Sequence, residues 1–132
     1  MLVLLFWALA HLLGCQSGSY PGKRMEGKWT YTNSQEERAE FWFEKGQAMH
    51  IDETSYNIDF YKYSVSQDSL WLMDLTNKDR VTAFAITDYA SGSLKLENGF
   101  VQMQLTKFSK SAQIDTTESA MSKVYSEFKE RL

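Results

Sequence analysis

The stretch Ser93-Leu94-Lys95-Leu96-Glu97-Asn98-Gly99-Phe100-Val101-Gln102-Met103-Gln104-Leu105-Thr106-Lys107 decides how this chain folds. Apolar and polar residues alternate on both sides of Asn98-Gly99, with Leu94 and Leu96 before it and Val101, Met103 and Leu105 after it. A period of two puts one set of side chains on a single sheet face. Asn-Gly suits a type I′ turn, the tight turn whose twist matches paired strands. The segment therefore reads as an antiparallel hairpin, Ser93 to Glu97 and Phe100 to Lys107, with the leucines, Val101 and Met103 inward.

The same grammar extends toward the N-terminus. Short alternating runs are separated by turn residues, the signature of an antiparallel sheet folded into a sandwich or barrel. Gly27 to Thr32 places Trp29 and Tyr31 on one face. Ala39 to Glu44 sets Phe41 and Phe43 against Glu40, Trp42 and Glu44. Lys45-Gly46 turns the chain into Gln47 to Asp52, where Met49 and Ile51 are expected inward and His50 and Asp52 toward solvent. Tyr56 to Val65 is expected to turn Tyr56, Ile58 and Phe60 inward and Asn57, Asp59, Tyr61 and Tyr63 outward. Leu70 to Leu75 is apolar on both faces, as in a strand covered on two sides. Val81 to Thr87 offers Phe84 and Ile86 to the core. With the hairpin, these make eight candidate strands.

Beyond Phe108 the period changes. Met121, Val124, Tyr125, Phe128 and Leu132 fall on one helical stripe, and Asp115 with Glu118 resembles a capping box. One helix over about 116–131, docked on the sheet, follows. It is expected to cover outward aromatics such as Trp42, Tyr61 and Tyr63. Residues 26–132 thus form one mainly β domain, a length that suits a single core.

The N-terminus has a different character. Residues 2–13 are uncharged and almost wholly apolar, a run of about a dozen, well short of the roughly 20 needed to span a bilayer. They end in Leu12-Leu13-Gly14-Cys15, and Cys15 is the sole cysteine, without a disulfide partner. No Lys or Arg precedes the run. Residues 15–25 form a short tether that contains the only proline, Pro21.

Charge and chemistry narrow the function. With 14 basic against 17 acidic residues and no basic stripe, nucleic acid is not an expected partner. His50 is the one histidine after Cys15 and shares a face with Asp52, but clustered metal ligands are absent. Asp74 reads as an end-of-strand surface residue. No catalytic constellation, metal site or cofactor motif stands out, and the chain reads as a non-enzyme. The inward aromatics are the candidate interior: Trp29, Tyr31, Phe41, Phe43, Tyr56, Phe60 and Phe84. They either fill the core or line a ligand pocket.

Two resemblances sharpen this reading. Leu12-Leu13-Gly14-Cys15 resembles the lipobox of bacterial lipoproteins. That resemblance implies an export signal over residues 1–14 and a diacylglyceryl and acyl (palmitate-type) modification at Cys15. Gln16 in place of Asp implies the outer membrane, and Ser17-Gly18-Ser19-Tyr20, which lacks the acidic cluster of surface-exported lipoproteins, implies a periplasm-facing orientation. Several acyl chains anchor stably because each buried methylene contributes about 0.8 kcal/mol. The second resemblance joins Gly27-Lys28-Trp29 at the first strand to the eight-strand meander, and is to lipocalins and bacterial lipocalin-like lipoproteins. It implies an eight-stranded antiparallel up-and-down barrel with a C-terminal α-helix, Trp29 plugging its closed end and Lys107 packed across that ring. Thr87-Asp88-Tyr89 is a loose counterpart of a later family motif. The function implied is a membrane-anchored module that binds a small hydrophobic ligand. The alternative is a solid barrel that docks another envelope protein.

Overall fold

The computed structural model describes residues 24–132; the export segment expected over residues 1–14, Cys15 and residues 16–23 of the expected tether lie outside the described residues. Eight strands follow in order: β1 Gly27–Thr32, β2 Arg38–Glu44, β3 Gln47–Asp52, β4 Ile58–Ser66, β5 Ser69–Asp74, β6 Val81–Ala90, β7 Ser93–Asn98 and β8 Val101–Ser109. A helix, α1, spans Glu118–Glu130 among the described residues. Each strand pairs antiparallel with the next, and β8 returns to β1, so the sheet closes into an up-and-down barrel. Closure leaves no unpaired edge.

The closing seam explains the glycine of Gly27-Lys28-Trp29. Gly27 has φ 126°, and a Cβ there would run into the Ser109 carbonyl of β8. Absence of a side chain lets the last strand reach the first. The register shifts between Lys28 and Trp29 at this seam.

Two apolar clusters result. The interior one includes Trp29, Phe41, Phe43, Leu70, Leu72, Phe84, Leu94, Leu96, Met103 and Leu105, with Tyr31, Ile86 and Tyr89 packed against it. The second lies outside the barrel, where Val124 and Phe128 of α1 pack on Trp42, Met49 and Ile51. Strands β2 and β3 are therefore covered on both faces, and β4 is covered outside only at Ile58 and Phe60.

That double burial overturns the inward faces expected for β3 and β4. Met49 and Ile51 belong to the outer cluster, and Ile58 and Phe60 pack against it. Tyr56 is outside as well, its ring edge-on to Phe128 at 6.3 Å. Facing inward instead are Ala48 and Tyr63, with Tyr61 packed on the same interior cluster. The register fixes this inversion, because Phe41 pairs with His50 and Trp42 with Met49. Since facing residues of neighbouring strands share a sheet side, Phe41 carries His50 inward. Apolarity did not mark the inside here, because the helix makes an apolar face outside too.

The 93–107 hairpin forms, but one step along from the expected turn. Asn98 pairs with Val101, so Gly99 and Phe100 make the connection, and Leu96 lies opposite Met103. Gly99 is not among the residues with positive φ, so the turn is not type I′. The partner shift is two residues, which preserves the faces: Leu94, Leu96, Met103 and Leu105 are buried as expected, while Val101 is exposed. At Lys45-Gly46 the expected tight turn does form, with φ of 44° and 81°.

Helix α1 starts later than the Asp115 box implied. Thr117 is the N-cap, accepting from Ala120 N, while Asp115 Oδ1 accepts from Thr117 N. Glu40, on the outer face of β2, ties the helix down. Its Oε1 accepts from Arg38 Nε at 3.1 Å and Arg131 Nε at 2.6 Å. Its Oε2 accepts from Arg131 Nη2 and from Trp42 Nε1, at 2.9 and 3.0 Å. Every lone pair of a wholly buried carboxylate is thus engaged, as burial of a charge requires.

Candidate functional site

The two ends of the barrel differ. At one end Trp29 is wholly buried and donates from Nε1 to the Met25 carbonyl at 2.8 Å. Lys107 Nζ sits 4.7 Å from the Trp29 ring centroid and donates to the Arg24 carbonyl at 3.1 Å. Tyr89 donates to the same carbonyl. This aromatic plug with its basic partner closes the barrel, in the arrangement anticipated for Trp29 and Lys107.

The opposite end is bounded by the connections after β1, β3, β5 and β7. Tyr31, His50 and Tyr61 face in there. The Tyr31 hydroxyl and His50 Nε2 are 2.9 Å apart. Phe41 stacks beneath them, 4.5 Å from the His50 ring and 5.9 Å from the Tyr31 ring. Phe43 continues the stack at 5.7 Å and meets Tyr63 edge-on at 5.0 Å. His50 Nδ1 and the Tyr61 hydroxyl make no hydrogen bond among the described residues, so both are available to a ligand.

Trp29, Phe43, Leu70, Leu94, Leu96 and Leu105 have no exposed surface, whereas Phe41, Tyr63, Leu72, Phe84 and Met103 keep 4% to 9%. At the open end the half-buried Tyr31, His50 and Tyr61 form a polar rim over the nearly buried Phe41 (rim and floor together, the cup).

Electrostatics hold the cup's polar groups neutral. Burial pushes the His50 pKa down, against the opposing pull of Asp52 and Asp59. Burial, then Asp52 and Tyr61, raises that of Tyr31. Tyr61 is pushed up to about 12 by burial, with Asp59 and Asp74 adding and Arg80 opposing. At neutral pH the site therefore presents an uncharged imidazole and two intact phenols. Around them stand carboxylates. Asp59 is the register partner of His50 and Asp74 that of Tyr61. Asp52 and Asp74 each spend one oxygen on their loops, to Ser55 and to Thr76.

Of the seven aromatics expected inside, Trp29, Tyr31, Phe41, Phe43 and Phe84 are there. Trp29 belongs to the plug, and Tyr31 and Phe41 to the cup. Tyr56 and Phe60 lie under or beside α1, away from the interior. His50, Tyr61 and Tyr63 are the residues that sequence reasoning placed on the wrong side. The signal that identifies them is Trp42: with Phe41 and Phe43 committed inward, a large apolar residue on the other face announces a covered sheet. Cys15 lies outside the described residues.

No protein-family model matches the chain, and no curated protein matches it. Two solved structures share its architecture. One is a lipocalin-like protein from Bacteroides uniformis ATCC 8492, with a TM-score of 0.50 and 19% identity, covering 64% of this chain and 99% of that one. The other is an uncharacterized protein from Bacteroides eggerthii DSM 20697, with a TM-score of 0.50, 12% identity and the same coverage. The likeness is one of fold: an eight-stranded, lipocalin-like closed barrel.

Proposed function

We propose that the protein is a lipid-anchored binding module that holds a small, partly apolar ligand in the open half of its barrel. The observation that carries this reading is the Tyr31–His50 pair over Phe41, with unused hydrogen-bonding groups above an aromatic floor. Small-molecule sites combine an apolar lining with a few placed polar groups in this way. Beneath Phe41 the wholly buried Phe43, Leu70, Leu94, Leu96 and Leu105 occupy the interior, so the ligand is compact rather than a long acyl chain. Anchoring through Cys15, at the outer membrane and facing the periplasm, is part of the proposal and rests on the Leu-Leu-Gly-Cys tetrad. A fragment screen read by NMR tests the site. Hits are expected to perturb the Tyr31, His50 and Tyr61 rings together; a screen in which no fragment moves them overturns it.

A second reading has its own support. The outer face of β5 and β6, on which α1 does not pack, exposes Trp71 (43%) and Val81 (51%), with Met73 the register partner of Val81. Exposed apolar patches mark protein contacts, and this one suits docking to another envelope protein. Trp71→Glu would abolish such an association and leave fragment binding intact; unchanged association after that substitution counts against the docking reading.

A further inference from the structure

The charges along the barrel are not evenly shared between its ends. Around the open end stand Glu36, Glu37, Asp52, Glu53, Asp59, Asp74 and Asp79, against Arg38, Lys78, Arg80 and Arg131. The plugged end carries Arg24, Lys28, Lys45, Lys95, Lys107 and Lys110 against Glu26, Glu44, Asp68 and Asp88. Of the basic residues at the open end, Arg38 and Arg131 are committed to Glu40, and Lys78 lies in the loop between β5 and β6. Arg80 remains near Tyr61 and Asp74. Clefts lined by one sign of charge gather ions of the other sign.

The hydrogen-bonding inventory points the same way. Asp59 accepts no hydrogen bond among the described residues, although it faces His50 across the β3–β4 ladder. Asp52 and Asp74 use only Oδ1. On β7, Asn98 follows Leu94 and Leu96 on the inward face. Its Oδ1 is buried with no hydrogen-bond partner among the described residues, and a buried acceptor left unpaired is unfavourable. A site rich in acceptors is completed by a ligand that brings donors. The floor is aromatic, and aromatic faces attract cations.

We propose that the ligand is a small organic cation, a protonated amine carrying a compact apolar group. The ammonium sits among the inward carboxylates at the mouth, and the apolar group rests on Phe41. The assignment rests on the binding-module reading and adds the ligand's charge to it. Anions are repelled from the mouth, and neutral analogues lose the ionic contacts.

Three probes of like shape separate the two claims: 2-phenylethylamine, 2-phenylethanol and 3-phenylpropanoate, each titrated into the protein by NMR at neutral pH and low salt. The amine is expected to bind about tenfold more tightly than the alcohol, with shifts at Tyr31, His50 and Tyr61, and the propanoate more weakly than either. Asp59→Asn is expected to bring the amine down toward the alcohol. That residue is exposed and has no hydrogen bond to lose, so the variant folds. Equal binding of amine and alcohol, or a preference for the propanoate, overturns the charge assignment and leaves the binding site standing. Failure of all three to move the mouth residues overturns both.

Discussion

His50 touches Tyr31 through Nε2, and its Nδ1 has no hydrogen-bond partner among the described residues, which makes it the most informative residue to titrate. Its folded pKa lies below the ordinary 6.5 because burial outweighs Asp52 and Asp59. The unfolded chain therefore binds more protons than the folded one in that range. The neutral form's contribution is complete above pH 6.5 and is lost as pH falls through the lowered value. Denaturant midpoints should drop on acidification from pH 7 to 5, and His50→Gln should remove that part of the slope; an unchanged slope contradicts the burial of His50. Glu40 makes the second prediction at this scale. With Arg131→Met the buried carboxylate keeps Arg38 and Trp42 but loses its closest partner, and the loss is expected to be about 3 kcal/mol by urea unfolding. Sequence patterning pointed to neither residue. His50, a polar residue inside an alternating strand, reads as outward, and only its partner across the ladder shows otherwise. Glu40 is outward as it reads, and only the helix-end Arg131 reveals its burial.

At the scale of the elements, glycines and the helix carry the tests. Gly46 has φ 81° with open space where a Cβ would stand, so Gly46→Ala meets only backbone strain of about 1 kcal/mol. Gly27→Ala meets both strain and the Ser109 carbonyl at the seam that closes the barrel. It should be clearly the more destabilising of the two in thermal unfolding; equal effects would mean the seam yields. Phe128 is wholly buried between α1 and the outer faces of β2 and β3. Phe128→Ala is expected to remove about 3–5 kcal/mol and to bring the buried Trp42 into water, seen as a red-shifted emission. Most strand limits were legible from alternation and turn residues: β1 and β3 match their expected spans, and the others differ at their ends. The hairpin turn was not, because Asn98-Gly99 satisfies a local rule while the barrel's ladder sets Asn98 opposite Val101. Alternation survives a shift of two residues, so the faces were right while the register was not.

For the whole molecule, a plugged basic end and an open acidic end give the barrel a direction. The described chain begins at the plugged end with Arg24, so a lipid at Cys15 would draw that end toward the bilayer and leave the mouth pointing away. Cys15→Ser is expected to move the protein from the membrane fraction to the soluble one; retention after that change would remove the anchor from the account. The sequence by itself determined the strand succession, the turn position at Lys45-Gly46 and the C-terminal helix, while the plug built on Trp29 was implied by the family resemblance of Gly27-Lys28-Trp29. Strand succession, turn and helix follow from local periodicity and backbone preference, which neighbouring residues settle among themselves. Only the tertiary structure decided which faces of β3 and β4 look inward, and so that His50, Tyr61 and Tyr63 belong to the cup while Tyr56 and Phe60 do not. On β3, and on β4 as far as Phe60, the outer face is apolar under the helix, so polarity does not announce the outside there. Each strand's orientation is fixed by the strand it pairs with and by the helix that covers it, and neither is visible in the strand itself.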